Sequence, residues 1–287
     1  MQKYNFNLFC QKRDKNILFH SLSPHKRVRF ARESGEVNTL NLFNLVAYMN
    51  LVIDLGNTRV KAALFKGPEL IELKVYPSIN DLTNDKPFYS KADYCLVGSV
   101  VGSFHYIADE LSDFKGLDCH SVLRPSPLKI LYKNPETLGS DRLAASVGAY
   151  SLYPNKNVLV IDAGTCLKFN FTNDKNEFLG GAISPGLQMR FKSLEQFTDK
   201  LPLVTFDENF EKLIGQNTGE SILSGVINGI LQETDGVINE YKKLYPDLTI
   251  VVTGGDTDFF AKRLKNRIFA HHHLVLTGLN ETLIYNS

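Results

Sequence analysis

Two polar segments of this chain, each following a short apolar run, combine the residue types that bind phosphate and its metal ion. The first is Asp54-Leu-Gly-Asn-Thr-Arg-Val-Lys61, which follows the apolar residues 51–53. A glycine turn with backbone N–H groups, a hydroxyl and two cations suits a phosphate group, and a nearby carboxylate suits the accompanying metal ion. Taken alone, such a turn more often belongs to an ordinary hairpin.

The second segment repeats this design. Val158-Leu-Val-Ile-Asp-Ala-Gly-Thr165 again has an apolar run, an aspartate, a small residue, a glycine and a hydroxyl. Asp54 and Asp162 are 108 positions apart, a spacing that indicates two duplicated domains. Two such turns, one on each wall of a cleft, could hold a nucleoside triphosphate between the domains.

A third polar segment, Gly139-Ser-Asp-Arg142, precedes a helix of small residues. Ser140 could cap that helix, and Asp141 in its first turn could simply compensate the helix dipole. Alternatively, Gly139 lets a ligand approach while Asp141 and Arg142 face it. Thr218, at the start of a long helix, is open to the same two interpretations. The residues alone do not decide between a cap and a substrate contact.

The elements that must position these segments are predicted from apolar periodicity. The expected class is a mixed α/β fold, in which three antiparallel strands are followed by strands alternating with helices. The paired glycines 180–181 predict close approach of a ligand or of another backbone. The glycine turn 254–256 could receive a nucleoside, although turns of this kind also occur without a ligand. Strands are predicted over 50–54, 59–66, 69–76, 94–100, 118–123, 158–162, 166–172, 177–184 and 248–253, and helices over 79–86, 104–114, 143–153, 187–197, 220–244 and 279–285.

Residues 1–48 differ from the rest of the chain. They hold eight Lys or Arg against three Asp or Glu and show no sustained period, so no packed element is predicted there. They are either a basic arm or an over-extended reading frame upstream of a natural start at Met49, and we favour the second. The expected organisation is therefore an extension over 1–48, a first domain over 49–155 and a second over 156–287, with a polar linker at the boundary.

The overall charge argues against a nucleic-acid or membrane partner. The 287 residues carry a formal net charge of +1, and no apolar run approaches the roughly 20 residues that span a bilayer. The four cysteines, at positions 10, 95, 119 and 166, have neither metal-ligand nor redox spacing. We therefore expect reduced thiols and a cytoplasmic location.

Taken in series, these motifs resemble those of the type III pantothenate kinases, which belong to the acetate and sugar kinase/heat-shock chaperone/actin superfamily. The resemblance covers residues 49–287 and none of 1–48. The motifs that carry it are Asp54-x-Gly-Asn-Thr-Arg-x-Lys61, Tyr132-x-Asn-Pro135, Gly139-Ser-Asp-Arg142, Asp162-x-Gly-Thr165, Gly180-Gly-x-Ile-x-Pro-Gly186, Asn217-Thr218 and Gly254-Gly-Asp256.

The resemblance implies two tandem ribonuclease H-like domains, with mixed sheets flanked by helices and the nucleotide in the cleft between them. It implies ATP-dependent phosphorylation of pantothenate to 4'-phosphopantothenate, the first step of coenzyme A biosynthesis. The implied cofactors are Mg²⁺ with ATP and a monovalent cation, K⁺ or NH₄⁺. The implied assembly is a homodimer whose partner subunit helps to close the pantothenate pocket.

The resemblance also assigns roles. Asp141 would be the general base, Asp54 would hold Mg²⁺ through the phosphates, and Asp162 would bind the monovalent cation. The chain departs from the family after Thr165, where Cys166-Leu-Lys-Phe-Asn170 replaces small or hydroxyl residues and an aspartate. ATP would be bound by Asp54, Gly56, Asn57, Thr58, Arg59, Lys61 and Thr165, and pantothenate by Tyr132, Gly139, Ser140, Asp141, Arg142 and Thr218.

Two alternative functions belong to the same fold. A non-enzymatic transcriptional accessory factor would be expected to lack Asp54, Asp141 or Asp162, and all three are present. A kinase of another small alcohol, such as a sugar, is disfavoured by the Tyr-x-Asn-Pro and Gly-x-Asp-Arg motifs. Pantothenate phosphorylation is therefore the leading hypothesis.

Overall fold

The computed structural model describes residues 28–31, 37–40, 48–56, 58–99, 119–121 and 125–286. The chain divides into two units, Met1–Tyr48 and Met49–Ser287. In the first unit, strand β1 (Val28–Ala31) pairs antiparallel with β2 (Val37–Leu40), where the sequence analysis predicted no element. Valine, phenylalanine and threonine on these strands favour extended backbone, although their run is too short for a clear period.

The first sheet of the second unit has five strands in the order β5-β4-β3-β6-β7. The first three form an antiparallel meander, and β6 and β7 run parallel to β3. The strand predictions for this half are confirmed to within a few residues, while the predicted helix over 104–114 lies outside the described residues. The strands are β3 (Met49–Leu55), β4 (Val60–Lys66), β5 (Glu69–Tyr76), β6 (Tyr94–Ser99) and β7 (Cys119–Ser121).

The second sheet repeats this topology. Its order is β13-β12-β9-β10-β11-β8, in which β9, β10 and β11 form an antiparallel meander and β12 and β13 run parallel to β9. Two sheets with the same order and directions confirm the predicted pair of ribonuclease H-like sheets. The strands are β8 (Lys129–Ile130), β9 (Val158–Ala163), β10 (Cys166–Thr172), β11 (Glu177–Pro185), β12 (Thr249–Thr253) and β13 (Phe269–Ala270).

Seven α-helices are described alongside these sheets. The predicted helix over 79–86 is interrupted at Asp85, and the predicted C-terminal helix begins five residues earlier than expected. A single turn of 3₁₀ helix covers Pro135–Thr137. The α-helices are α1 (Ile79–Asn84), α2 (Lys86–Tyr89), α3 (Ser140–Leu152), α4 (Leu187–Gln196), α5 (Thr218–Leu244), α6 (Thr257–Arg263) and α7 (Leu274–Asn286).

Helices α3 and α7 cross at close range, although they are far apart in the sequence. A Cβ atom added to Gly278 would overlap the backbone carbonyl oxygen of Ala144, and one added to Gly148 would overlap that of Leu274. Helix α7 also packs against the first sheet, while β8 pairs with the second. Elements on both sides of residue 155 therefore cross between the sheets: β8 precedes this residue and belongs to the second sheet, and α7 follows it and packs against the first. The predicted domain boundary at residue 155 stays a prediction.

Replacing Gly278 by alanine should lower the free energy of unfolding by about 3 kcal/mol, because the helices must move apart to admit a methyl group. Urea titration followed by circular dichroism would measure the change. Gly236→Ala in α5 is the matched control, since an added Cβ there meets nothing within 4 Å. That variant should gain up to about 1 kcal/mol from helix propensity. Equal stabilities for the two variants would contradict the close crossing.

The core beside the second sheet lies between β9–β10 and the long helix α5. It contains Leu159, Ile161, Phe169, Ile230 and Ile238, all buried. This packing holds the ends of β9 and β10 rigidly, and the second polar turn joins those ends. No helix in the described part of the chain is long and apolar enough to cross a membrane.

Candidate active site

The structure brings the two polar turns together. In the first, the Gly56 N–H donates to the Arg59 carbonyl at 3.2 Å, and in the second the Gly164 N–H donates to the Cys166 carbonyl at 3.1 Å. The exposed hydroxyl oxygens of Thr58 and Thr165 lie 3.4 Å apart. The turns therefore meet at one place on the surface, as expected for two walls of a phosphate site. Asn57 lies outside the described residues.

Each turn has an aspartate and a lysine directly opposite one another on its two strands. Asp54 on β3 is opposite Lys61 on β4, and Asp162 on β9 is opposite Lys168 on β10. The sequence analysis gave Lys168 no role. The spacing could have indicated one, because Lys168 follows Asp162 by six positions and Lys61 follows Asp54 by seven.

Lys168 links the second turn to Asp141. Its Nζ atom lies 2.9 Å from Oδ2 of Asp162 and 2.6 Å from Oδ2 of Asp141. The three side chains are only 18%, 10% and 15% exposed, respectively. Charged hydrogen bonds are stronger where water is largely excluded. This lysine therefore fixes the relative positions of two carboxylates from different parts of the chain.

Asp141 is held at both carboxylate oxygens. It lies in the first turn of α3, where its Oδ1 accepts a hydrogen bond of 2.8 Å from the Arg142 N–H. The N-cap of α3 is Gly139 and not Ser140, which is the first helical residue. A Cβ atom at position 139 would lie 2.6 Å from Oδ1 of Asp141, so the glycine leaves room for this carboxylate.

Burial and neighbouring charges shift the pKa values of Asp54, Asp162 and Lys168. Burial raises the pKa of Asp54 to about 6; Lys61 opposes the shift, and the charges of Asp141 and Asp162 add to it. Burial likewise raises the pKa of Asp162, against the lowering effect of Lys168. Burial alone would lower the pKa of Lys168, but the two adjacent carboxylates raise it above its ordinary value. An added cation at Asp54 would relieve this crowding of negative charge.

Arg142 is buried behind Asp141, at 6% exposure. Its Nε donates to Oδ1 of Asn170 at 2.7 Å, and its Nη1 donates to the Tyr132 hydroxyl at 3.4 Å. Its guanidinium carbon lies 5.5 Å from the centre of the Tyr132 ring. Three buried polar atoms in this region have no hydrogen-bond partner among the described residues: Arg142 Nη2, Asn170 Nδ2 and Thr172 Oγ1. Unpaired buried donors are costly, which points to a missing acceptor.

Comparison with known proteins identifies the family of this chain. The model of one sequence family, described as type III pantothenate kinase, matches residues 50–240. A type III pantothenate kinase of Christiangramia forsetii is 43% identical over 244 residues, covering 83% of this chain and 99% of the relative. One from Bacteroides fragilis is 42% identical over 245 residues, with the same coverage. The chain belongs to the type III pantothenate kinase family.

A solved structure supports the fold of this kinase. A protein from Campylobacter jejuni, described as a Baf family transcriptional activator, matches with a TM-score of 0.56. The two chains are 19% identical, and the match covers 82% of the kinase chain and 98% of the other. At this identity the likeness shows a common fold and carries no information about activity.

Two glycine motifs of the kinase are explained by backbone packing. Gly180 and Gly181 have φ angles of +110° and +154°, and a Cβ atom at Gly181 would overlap the carbonyl of Phe169 on β10. Gly254 has a φ of +101°, and a Cβ there would overlap the end of β9 at Ala163. The close approach predicted at 180–181 is thus by another backbone, and packing against β9 explains the glycine at position 254. A nucleoside at the turn 254–256 stays a prediction. At Gly255 an added Cβ would meet open space.

Thr218 lies apart from the carboxylate cluster. It is exposed at the start of α5, where Asn217 is the N-cap and accepts from the Glu220 N–H at 2.9 Å. Thr218 lines a groove of about 520 Å³ between α4 and α5, together with Arg190 and Ile222. No hydrogen bond within the described residues joins it to Asp141. Its predicted contact with substrate stays a prediction.

The kinase family implies a divalent metal ion with ATP, and Asp54 suits it. The carboxylate lies at the end of β3, next to the first polar turn, and a nearby cation would offset its raised pKa. In the part of the chain that the structure describes, no three His, Cys, Asp or Glu side chains converge as metal ligands. The carboxylate of Asp54 is an oxygen ligand of the kind that Mg²⁺ prefers.

Asp54→Asn should make the kinase more stable at pH 7.5 by about 3 kcal/mol, because the native pKa of about 6 exceeds the ordinary value of 3.8. Above pH 6 Asp54 is ionised in the native state, and its buried charge lowers the free energy of unfolding. Below pH 3.8 Asp54 is protonated in the native and the unfolded state, so it has no such effect. The advantage of the variant should therefore shrink as the pH falls from 6 to 4. Urea titrations of both proteins across this range would measure it.

Asp85→Asn is the control, because this substitution should change the free energy of unfolding in the opposite direction. Hydrogen bonds from Lys74 and Tyr76 lower the pKa of Asp85, so its ionised form stabilises the native state. This variant should be less stable than the parent at pH 7.5, and the difference should diminish as the pH falls through the native pKa. Variants that shift in the same direction would contradict the assignment of Asp54.

Proposed function

We propose that this kinase transfers the γ-phosphoryl group of ATP to pantothenate, giving 4'-phosphopantothenate, the first step of coenzyme A biosynthesis. The observation that carries the proposal is the position of Asp141. Its carboxylate stands at the start of α3 and is linked through Lys168 at 2.6 Å to the second phosphate-binding turn. A base beside a phosphate site is the arrangement that phosphoryl transfer to an alcohol requires. Family membership supplies the substrate.

In the proposed reaction, Asp141 accepts the proton of the primary hydroxyl of pantothenate. The hydroxyl oxygen then forms a bond to the γ-phosphorus while the bond to the β-phosphate oxygen breaks, and ADP leaves. Positioning and charge stabilisation account for most of such catalysis. The two turns would position the phosphates, through Gly56, Asn57, Thr58, Arg59, Lys61 and Thr165. A Mg²⁺ ion at Asp54 would neutralise phosphate charge when bound.

We propose that Arg142 binds the carboxylate of pantothenate. The support is its unpaired Nη2, together with the unpaired Nδ2 of Asn170, in a buried region beside Tyr132. A carboxylate would complete both sets of hydrogen bonds, and guanidinium–carboxylate pairs are strong where water is excluded. Gly139, Ser140 and Thr218 are the remaining proposed contacts of the substrate.

The monovalent cation implied by the resemblance does not fit the residues present at Asp162. Oδ2 of that aspartate already accepts from Lys168 at 2.9 Å, and its side chain is 10% exposed. A free cation there would lie beside a fixed ammonium group. We therefore derive no step of the reaction through K⁺ or NH₄⁺.

We propose a homodimer whose partner subunit helps to close the pantothenate pocket. Exposed apolar side chains support it: Ile183 on β11 is 60% exposed, and Phe197 at the C-terminal end of α4 is 79% exposed. We also propose that residues 1–48 lie outside the two domains, 49–155 and 156–287. A cytoplasmic location is proposed from the free thiol of Cys166 and from the spacing of the four cysteines, which is neither that of a metal site nor that of a redox motif.

The test is ADP release in a coupled assay with Mg²⁺ and ATP, with and without pantothenate, followed by mass measurement of the product. Pantothenate should raise the rate at least about 100-fold over the background ATPase activity. A panel of sugars should raise it little. Release of ADP that depends on a sugar and not on pantothenate would overturn the proposal in favour of a different kinase.

A further inference from the structure

The resemblance implies a free monovalent cation at Asp162. In this chain the ammonium group of Lys168 already lies 2.9 Å from that carboxylate. We propose that the ammonium group of Lys168 takes the place of the monovalent cation, so that this kinase needs neither K⁺ nor NH₄⁺. The inference rests on the proposed function for its activity measurements. The observation behind it is that Asp162, which is already paired with Lys168, does not fit the implied K⁺ or NH₄⁺ ion.

The geometry of Lys168 makes it a fixed component of the site. It stands directly opposite Asp162 on the neighbouring strand, and its Nζ lies 2.9 Å from Asp162 and 2.6 Å from Asp141. A primary ammonium group has the same charge as K⁺ and NH₄⁺, and its N–H groups donate to carboxylate oxygens as NH₄⁺ does. Because it is covalently attached to a rigid strand, it cannot exchange with the solvent.

A second monovalent cation at Asp162 would be repelled by this group. Two positive charges a few ångströms apart in a largely buried site interact far more strongly than in water. Among the described residues, the other charged groups that interact with the cluster are Asp54 and Lys61, of the first polar segment. Lys61 is directly opposite Asp54 and compensates its negative charge. The positive charge of Lys168 therefore compensates Asp141 and Asp162.

Lys168 is therefore a positioning residue that acts through Asp141. By binding Oδ2 while the Arg142 N–H binds Oδ1, it orients the proposed base toward the substrate hydroxyl. A free cation at Asp162 would perform this task only while bound. The built-in ammonium group performs it at every salt composition.

The first measurement compares the parent kinase in KCl, NH₄Cl, NaCl and choline chloride at constant ionic strength. We expect pantothenate-dependent rates that agree within about two-fold, because the required positive charge is always present. A rate that rises ten-fold or more with K⁺ or NH₄⁺ would overturn the proposal.

Variants of Lys168 separate the charge from the space it fills. Lys168→Ala should lose about 100-fold in rate in choline chloride, and NH₄⁺ or methylammonium should restore at least ten-fold. Lys168→Met fills the space with an uncharged chain, so added cations should not restore it, while Lys168→Arg should retain part of the activity. Lys129→Met is the control, since Lys129 pairs with Glu177 at the edge of the same sheet. Full activity of Lys168→Ala in choline chloride would overturn the proposal.

Melting temperature gives a readout that does not depend on turnover. NH₄⁺ should raise the melting temperature of Lys168→Ala relative to choline, and neither NH₄⁺ nor K⁺ should raise that of the parent. Specific stabilisation of the parent by K⁺ would overturn the proposal. If the parent phosphorylates no pantothenate in any salt, the proposed function fails, and the melting temperatures still decide the role of Lys168.

Discussion

Replacing Asp141 by asparagine should lower kcat about 1,000-fold while the KM values for ATP and pantothenate change only a few-fold. Asparagine has the same shape, and its side-chain oxygen can still accept from Lys168 or from the Arg142 N–H. The amide, however, cannot take a proton from the substrate hydroxyl. The loss should therefore appear in the chemical step and not in substrate binding.

The coupled ADP assay and a thermal melt of the same sample would measure both effects. Asp258→Asn is the matched control, because Asp258 also lies in the first turn of a helix, α6, and faces solvent. If Asp141 only compensated the helix dipole, both variants would lose roughly 0.5 kcal/mol of stability and no activity. An active Asp141→Asn kinase would remove Asp141 from the mechanism.

Replacing Arg142 by methionine should lower kcat/KM for pantothenate about 100-fold, mainly through a higher KM. Methionine fills the buried space and keeps apolar contact with Tyr132 and Phe178, but it offers no donors to a carboxylate. Steady-state kinetics at saturating ATP would measure the change. The variant also releases Asn170 Oδ1 from its 2.7 Å bond, so its melting temperature must be recorded with it.

The alcohol analogue of pantothenate, in which CH₂OH replaces the carboxylate, separates binding from folding effects. The parent should discriminate strongly against this analogue, and Arg142→Met should discriminate little. Arg263→Met is the control, because Arg263 bonds a backbone carbonyl, that of Phe210, at 2.9 Å from the surface helix α6. An Arg142→Met kinase that loses activity equally on both substrates would contradict a contact between Arg142 and the carboxylate.

Most of the local elements in residues 49–286, and the strand ends that carry the candidate site, could be predicted from the amino-acid sequence. Short-range alternation of apolar residues is enough to define a hairpin, so the strands around Asp54 and Asp162 were predicted nearly to the residue. The repeat of the aspartate–glycine turn also predicted two equivalent sheets, and both have the same strand order. These features depend on neighbours within a few positions in the chain.

The tertiary structure alone decided which distant residues meet. Periodicity carries no information on the 2.6 Å contact between Lys168 and Asp141, or on the burial of the Arg142 side chain. Nor does it predict that Gly148 and Gly278 allow α7 to pack against α3. Such contacts arise from the packing of whole elements, because the free energy of burial depends on surfaces brought together from separate parts of the chain.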